Sequence, residues 1–269
     1  MGNADAYTHG HHASVVGHHA TRTAEEAAAF LLPRLEPGMR LLDFGCGPGT
    51  ITAGLARAVA PGETIGINAA AEVVADARSR AAGLGLANLR FEVGSIYERG
   101  FEEASFDVVY AHQVLQHLAR PVGALRSAMS LLKQGGIVAV RDVDWATVAI
   151  APETPELSAF LRLYSEVARS NGGEPNAGRY LPRWLADAGF KAFEVSAATW
   201  TFADEAARVQ WGDAYAQRAV ESGVARRALE LGLATPADLR GMAKAWKDWA
   251  RTPYAFMVMT HVAALGPRP

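Results

Sequence analysis

The chain has 269 residues, half of them apolar, enough for one large domain or two small ones around a sizeable core. Its 26 basic and 28 acidic residues leave a formal charge of −2, which offers no electrostatic footprint for nucleic acid or an anionic membrane surface and points to a small-molecule partner. A lone cysteine, Cys46, excludes an internal disulfide. The start "MGNADAYTHGHH" carries neither a secretory apolar core nor the Ser or Thr that a myristoylation site needs at position six, and no window reaches the roughly 18 apolar residues of a membrane span. The expectation is a cytoplasmic monomer or homodimer that engages neither nucleic acid nor membrane.

Residues 23–35, "TAEEAAAFLLPRL", have helical spacing behind a Thr cap and end near Pro33. "MRLLDF" then reads as a short buried strand closed by glycines, and "TITAGLARAVA" (50–60) as a helix stopped by Pro61 and Gly62. The alternation repeats: "TIGI" strand, "AAEVVADARSRAAGL" helix, "LRFEV" strand, "SFDVVYA" strand, "PVGALRSAMSLL" helix, "GGIVAVRDV" strand. Such alternation predicts an open, mostly parallel, doubly wound α/β sheet whose ligands sit beyond the C-terminal strand ends. After Asp144 come helices over 155–170 and 179–189, a strand over 190–202, a helical stretch from 205 to 250 broken by Gly223, Gly232 and Pro236, and a closing strand over 254–265. The expected organisation is an N-terminal helical cap (1–36), a sheet core (37–203 and 253–269), and a helical lid (204–252) inserted before the last strand.

"LLDFGCGPGT" (41–50) places Gly45, Gly47 and Gly49 between a strand and a helix. There they let the backbone turn sharply and approach a ligand, while the helix start supplies free N–H donors. This suits a nucleotide-like cofactor. The spacing differs from the dinucleotide fingerprint, and Asp43, two residues before the first glycine, would repel a pyrophosphate but suits a cationic amino group.

Together with "FDVVYAHQVLQHL" and "LLKQGGIVAV", this loop resembles class I S-adenosylmethionine-dependent methyltransferases, close to the small-molecule branch of ubiquinone and menaquinone biosynthesis, over about residues 20–144. The resemblance implies a Rossmann-like core, S-adenosylmethionine as cofactor and S-adenosylhomocysteine as product. It implies that Gly45, Gly47 and Gly49, with Cys46, line the methionine and ribose part, that Asp43 holds the loop or the methionyl ammonium, and that Ser95 and Ile96 flank the adenine. His112 and Gln113 would face the sulfonium. Two positions depart from the pattern: Asn68, beside Ala69, stands where an acid usually takes the ribose hydroxyls, and Ser95 stands where Asp is frequent. Each exchange of a charged acceptor for a neutral one is worth on the order of 1 kcal/mol of cofactor affinity.

Methyl transfer needs a base only when the acceptor carries a proton of high pKa. His112, His117, Tyr7 and Asp142 are the catalytic candidates, although His117, between Leu115 and Leu118, also reads as a packed core histidine. His11, His12, Asp144, Trp145, Arg179, Trp211 and Tyr215 are candidates for acceptor binding. Arg179 reads more readily as a surface cation, and the pairs Trp211/Tyr215 and Trp246/Trp249 by default as core stripes on helix faces. The five histidines in "YTHGHHASVVGHH" match no closed zinc spacing, so no metal is expected. The reading is methyl transfer to a small apolar or aromatic acceptor, with a cofactor-binding cyclase or a non-catalytic binding module as alternatives.

Overall fold

The computed structural model describes residues 22–98 and 100–269. A seven-stranded sheet runs in the order β3-β2-β1-β4-β5-β7-β6. Its strands are β1 (Leu41–Phe44), β2 (Thr64–Asn68), β3 (Leu89–Val93), β4 (Phe106–His112), β5 (Leu132–Ala151), β6 (Glu194–Phe202) and β7 (Phe256–Pro267). The first five are mutually parallel, and β7 lies antiparallel between β5 and β6. The sheet is therefore mostly parallel and doubly wound, as the alternating pattern predicts.

The apolar runs face both ways because successive strand residues point to opposite faces. Leu41, Val108 and Ala139 pack on one face with Leu55 and Val59 of α2 (Thr50–Val59). Leu42, Val109 and Val140 pack on the other with Leu125 of α4 (Pro121–Leu131) and Leu181 and Leu185 of α6 (Ala177–Ala188). Helix α3 (Ala71–Ala81) covers β2 and β3 through Val74 and Ala77.

The helix expected over residues 23–35 is cut to α1 (Ala24–Ala27) and a 3-10 turn, Leu32–Arg34. The hydroxyl of Tyr110 donates to the Ala27 carbonyl at 3.1 Å, and Arg141 Nη1 donates to the Glu26 carbonyl at 2.8 Å. The next helical turn would need those acceptors, and Pro33 has no N–H to extend it.

Between β6 and β7 lie α7 (Glu205–Glu221), α8 (Gly223–Glu230) and α9 (Pro236–Arg251). Their apolar core contains Trp211, Tyr215, Trp246 and Trp249, so the two aromatic pairs are packed stripes. It also takes in Phe160, Leu163, Tyr164 and Val167 of α5 (Pro155–Ser170), a helix that the sequence pattern assigns to the sheet core. Among the described residues no helix is long and apolar enough to cross a membrane.

Candidate active site

The glycine loop leaves the end of β1 through three left-handed residues, Gly45 (φ 74°), Gly47 (φ 54°) and Gly49 (φ 80°). Side chains at two of them are excluded by packing as well as by φ. A Cβ at Gly45 would run into Val114 in the loop after β4, and one at Gly49 would stand 2.5 Å from Phe91. Gly47 instead faces open space, and its N–H has no partner among the described residues. The backbone there is bare to whatever the loop holds.

Asp43 is buried at the end of β1 and accepts a 2.6 Å hydrogen bond from Thr52 Oγ1, tying the strand to the first turn of α2 across the loop. Burial raises its pKa to about 7, against the opposing effect of that bond. A cationic ligand beside it would draw the proton off. Asn68, at the end of β2, uses Oδ1 to accept from Ala70 N at 3.0 Å, which starts α3. Its amide N–H groups remain to donate, as a carboxylate there would not. Ser95 Oγ accepts from Tyr97 N at 3.3 Å, Ile96 is buried, and Ala69 is exposed.

At the end of β4 the chain turns through Gln113, whose φ of 55° is left-handed and strained for a non-glycine residue. Its N–H is held by the Arg141 carbonyl at 2.7 Å. Gln113 Nε2 lies 2.7 Å from His261 Nε2, so that nitrogen accepts and the His261 proton sits on Nδ1. The ring of His112 lies 6.4 Å from that of His261, nearly parallel, and 5.9 Å from Trp200. Among the described residues neither of its nitrogens has a hydrogen-bond partner. Burial, then Arg22 and Arg141, hold its pKa well below the usual value, so it stands as a neutral imidazole.

Several candidates occupy other roles. Asp142 is fully buried, and its Oδ2 accepts from Leu115 N at 3.2 Å, pinning the 3-10 turn Leu115–His117 after β4. Burial raises its pKa to about 8 despite the Gln116 and Leu115 N–H groups. It positions that turn. Asp144 and Arg179 are joined to each other, Nε to Oδ2 at 2.6 Å and Nη2 to Oδ1 at 2.7 Å, so both carboxylate oxygens are engaged and the guanidinium edge is filled. The two residues expected to contact the acceptor thus engage each other, and the acid is buried while half of the arginine side chain is exposed. His117 is buried in its turn with a pKa lowered to about 3, chiefly by burial. Tyr7, His11 and His12 lie outside the described residues.

Trp145, Trp211 and Tyr215 do converge. With Gln113, Gln116 and Arg218 they line a narrow cavity of about 20 Å³, room for one water-sized molecule, between the end of the sheet and the helices inserted before β7. Trp211 and Tyr215 stack with ring centroids 4.8 Å apart, and Trp145 lies tilted at 6.2 Å from Tyr215. Gln113, in the cavity wall, precedes Val114, which stands against Gly45 of the glycine loop. Sequence reasoning missed Gln116, Arg141, Trp200, Arg218 and His261. Arg218 alone left a usable signal, its spacing of three from Tyr215 on one helix face.

A family model described as a methyltransferase domain matches residues 35–189. The chain belongs to that family. A methyltransferase of Schizosaccharomyces pombe is 34% identical over 263 residues, covering 94% of this chain and 93% of its own length. A ubiquinone biosynthesis O-methyltransferase of Xanthomonas axonopodis pv. citri is 30% identical over 169 residues, 62% of this chain and 69% of the relative. Among solved structures, a [4+2]-cyclase superposes with a TM-score of 0.55 at 22% identity, covering 93% of this chain and 85% of the other. Phosphoethanolamine N-methyltransferase 2 of Haemonchus contortus, in complex with phosphomonomethylethanolamine and S-adenosylhomocysteine, gives 0.57 at 17% identity, covering 91% and 53%. At those identities the likeness is one of fold. Family and sheet order together make the chain a class I S-adenosylmethionine-dependent methyltransferase.

Proposed function

We propose that this methyltransferase transfers a methyl group to a small molecule with an aromatic or apolar body, bound between the lid and the C-terminal end of the sheet. The observation that carries the reading is the cluster of Trp145, Trp211 and Tyr215, which lies beside Gln113 at the end of β4 and shares its cavity with the polar side chains of Gln116, Arg22 and Arg218.

The chain fits its cofactor on its own features: the bare backbone of Gly47, the left-handed Gly45 and Gly49, and the buried carboxyl of Asp43. These residues, with Cys46, Asn68, Ala69, Ser95, Ile96, His112 and Gln113, would hold it. When bound, the cofactor supplies a methyl group already made electrophilic by its sulfonium. What the protein adds is alignment and exclusion of water. A neutral His112 suits this role, because an imidazolium would repel the sulfonium. Asp142 acts at one remove, fixing the turn that carries Gln116 into the cavity wall.

The test is a screen of aromatic and apolar acceptors with S-adenosylmethionine, read by product mass. A product heavier by one methyl with equimolar S-adenosylhomocysteine supports the reading. Turnover confined to nucleic acid or protein acceptors would overturn it.

A further inference from the structure

Arg218 falls on the face of α7 that also carries Trp211 and Tyr215, seven and three residues earlier. It is 4% exposed, and its guanidinium lies 4.7 Å from the Tyr215 ring centroid. Among the described residues its Nε and Nη2 are both buried without a hydrogen-bond partner, and no carboxylate pairs with it. These two nitrogens form the edge of the guanidinium fork that grips a carboxylate side-on. In Arg179 the same edge holds both oxygens of Asp144, at 2.6 and 2.7 Å.

Burying a cation with no counter-charge costs several kcal/mol, and an apolar residue at 218 would complete the aromatic stripe without that cost. The remaining wall of the cavity sharpens the contrast. Trp145 Nε1, another buried donor, has no partner there, and Arg22 adds a second guanidinium. No acidic side chain lines the cavity among the described residues. A site intended for a wholly neutral apolar molecule has no use for this arrangement, and a cationic amine would be repelled by it.

We propose that the acceptor carries a carboxylate, held side-on by Nε and Nη2 of Arg218, while its aromatic body packs against Trp145, Trp211 and Tyr215. This inference rests on the reading of the cavity as the acceptor site. It makes the lid a charge filter: acids enter, and their amides or esters lose the fork. Bidentate pairing also orients the ring, because two parallel hydrogen bonds fix the plane of the carboxylate relative to the helix.

The experiment is calorimetric titration of the S-adenosylhomocysteine complex with benzoate, salicylate, phenylacetate and indole-3-acetate, each beside its amide, in the protein and in Arg218→Met. S-adenosylhomocysteine affinity is measured separately for both. The expected result is that at least one acid binds ten-fold or more tighter than its amide. In Arg218→Met the preference vanishes, and S-adenosylhomocysteine affinity stays within two-fold. Unfolding of the ligand-free protein supplies a second readout: Arg218→Met should melt no lower than the parent, because the substitution removes an unpaired buried charge. Equal binding of acids and amides, or no binding of either while S-adenosylhomocysteine binds, would overturn the carboxylate. A loss of S-adenosylhomocysteine affinity in Arg218→Met would overturn it too, by assigning the guanidinium to the cofactor's own carboxylate. Failure of S-adenosylhomocysteine to bind the parent protein would instead strike the cofactor site itself.

Discussion

Replacing Asp43 by Asn tests whether the glycine loop stands on a carboxyl that resists ionisation. Folding raises the pKa of this group to about 7, against 3.8 for an exposed carboxyl, because burial disfavours the charge more than Thr52 supports it. A carboxyl whose folded pKa is raised binds its proton more tightly in the folded state. Its stabilising protonation is complete below about pH 4 and is lost as pH climbs to about 7. At 1.36 kcal/mol per pK, ionisation costs roughly 1.5 kcal/mol at pH 5 and roughly 4 kcal/mol above pH 7. Asn keeps an acceptor for the Thr52 hydroxyl and cannot ionise. The stability of Asp43→Asn relative to the parent should therefore rise by about 3 kcal/mol between pH 5 and pH 8. Urea unfolding of both proteins at those two pH values, without ligand, measures the difference. A gap that stays flat, or an Asn variant that loses ground at pH 8, would refute the burial argument.

Asn68→Asp keeps the acceptor for Ala70 N and adds a charge at the end of β2; if position 68 meets the ribose, as the family resemblance implies, it should tighten S-adenosylmethionine binding roughly five-fold by calorimetry, about 1 kcal/mol. Arg179→Ala strands the buried Asp144 carboxylate and should lower stability by about 2 kcal/mol, the exposure of the arginine holding the figure below that of a fully buried pair. In a double-mutant cycle with Asp144→Asn most of that loss should disappear. His112→Gln should leave the shape of the pH–rate profile unchanged between pH 5.5 and 8, because the parent imidazole is already neutral there; disappearance of an inflection near pH 6.5 would show that it titrates in that range.

The sheet was legible because its strands are short apolar runs separated by helices of regular period, as strands buried on both faces of a parallel sheet must be. The glycine loop was legible for a local reason: φ and close approach act within a few residues. What escaped depends on partners distant in the chain. The shortening of α1 is imposed by Tyr110 and Arg141, which reach back across 83 and 115 residues for its carbonyls. Asp144 and Arg179, each plausible as a substrate anchor, are 35 residues apart and satisfy one another. Helix α5 precedes β6 in sequence yet packs with the lid, because its apolar stripe of Phe160, Leu163 and Val167 meets the lid aromatics. Arg218 was hidden by its own chemistry: a charged residue on a helix ordinarily faces water, and only the tertiary structure shows it turned inward.

The central claim, that the glycine loop of this methyltransferase holds S-adenosylmethionine, is tested most directly by calorimetric titration of S-adenosylhomocysteine into the protein and into Gly47→Val. Among the described residues nothing lies within 4 Å of a Cβ at Gly47, so a valine side chain there meets the ligand space and not the core, and its left-handed φ adds backbone strain that unfolding of the ligand-free variant measures separately. The account predicts one-to-one micromolar binding to the parent and its loss in the variant, with the variant still folded. Absence of binding to the parent, or equal binding to both, would contradict it.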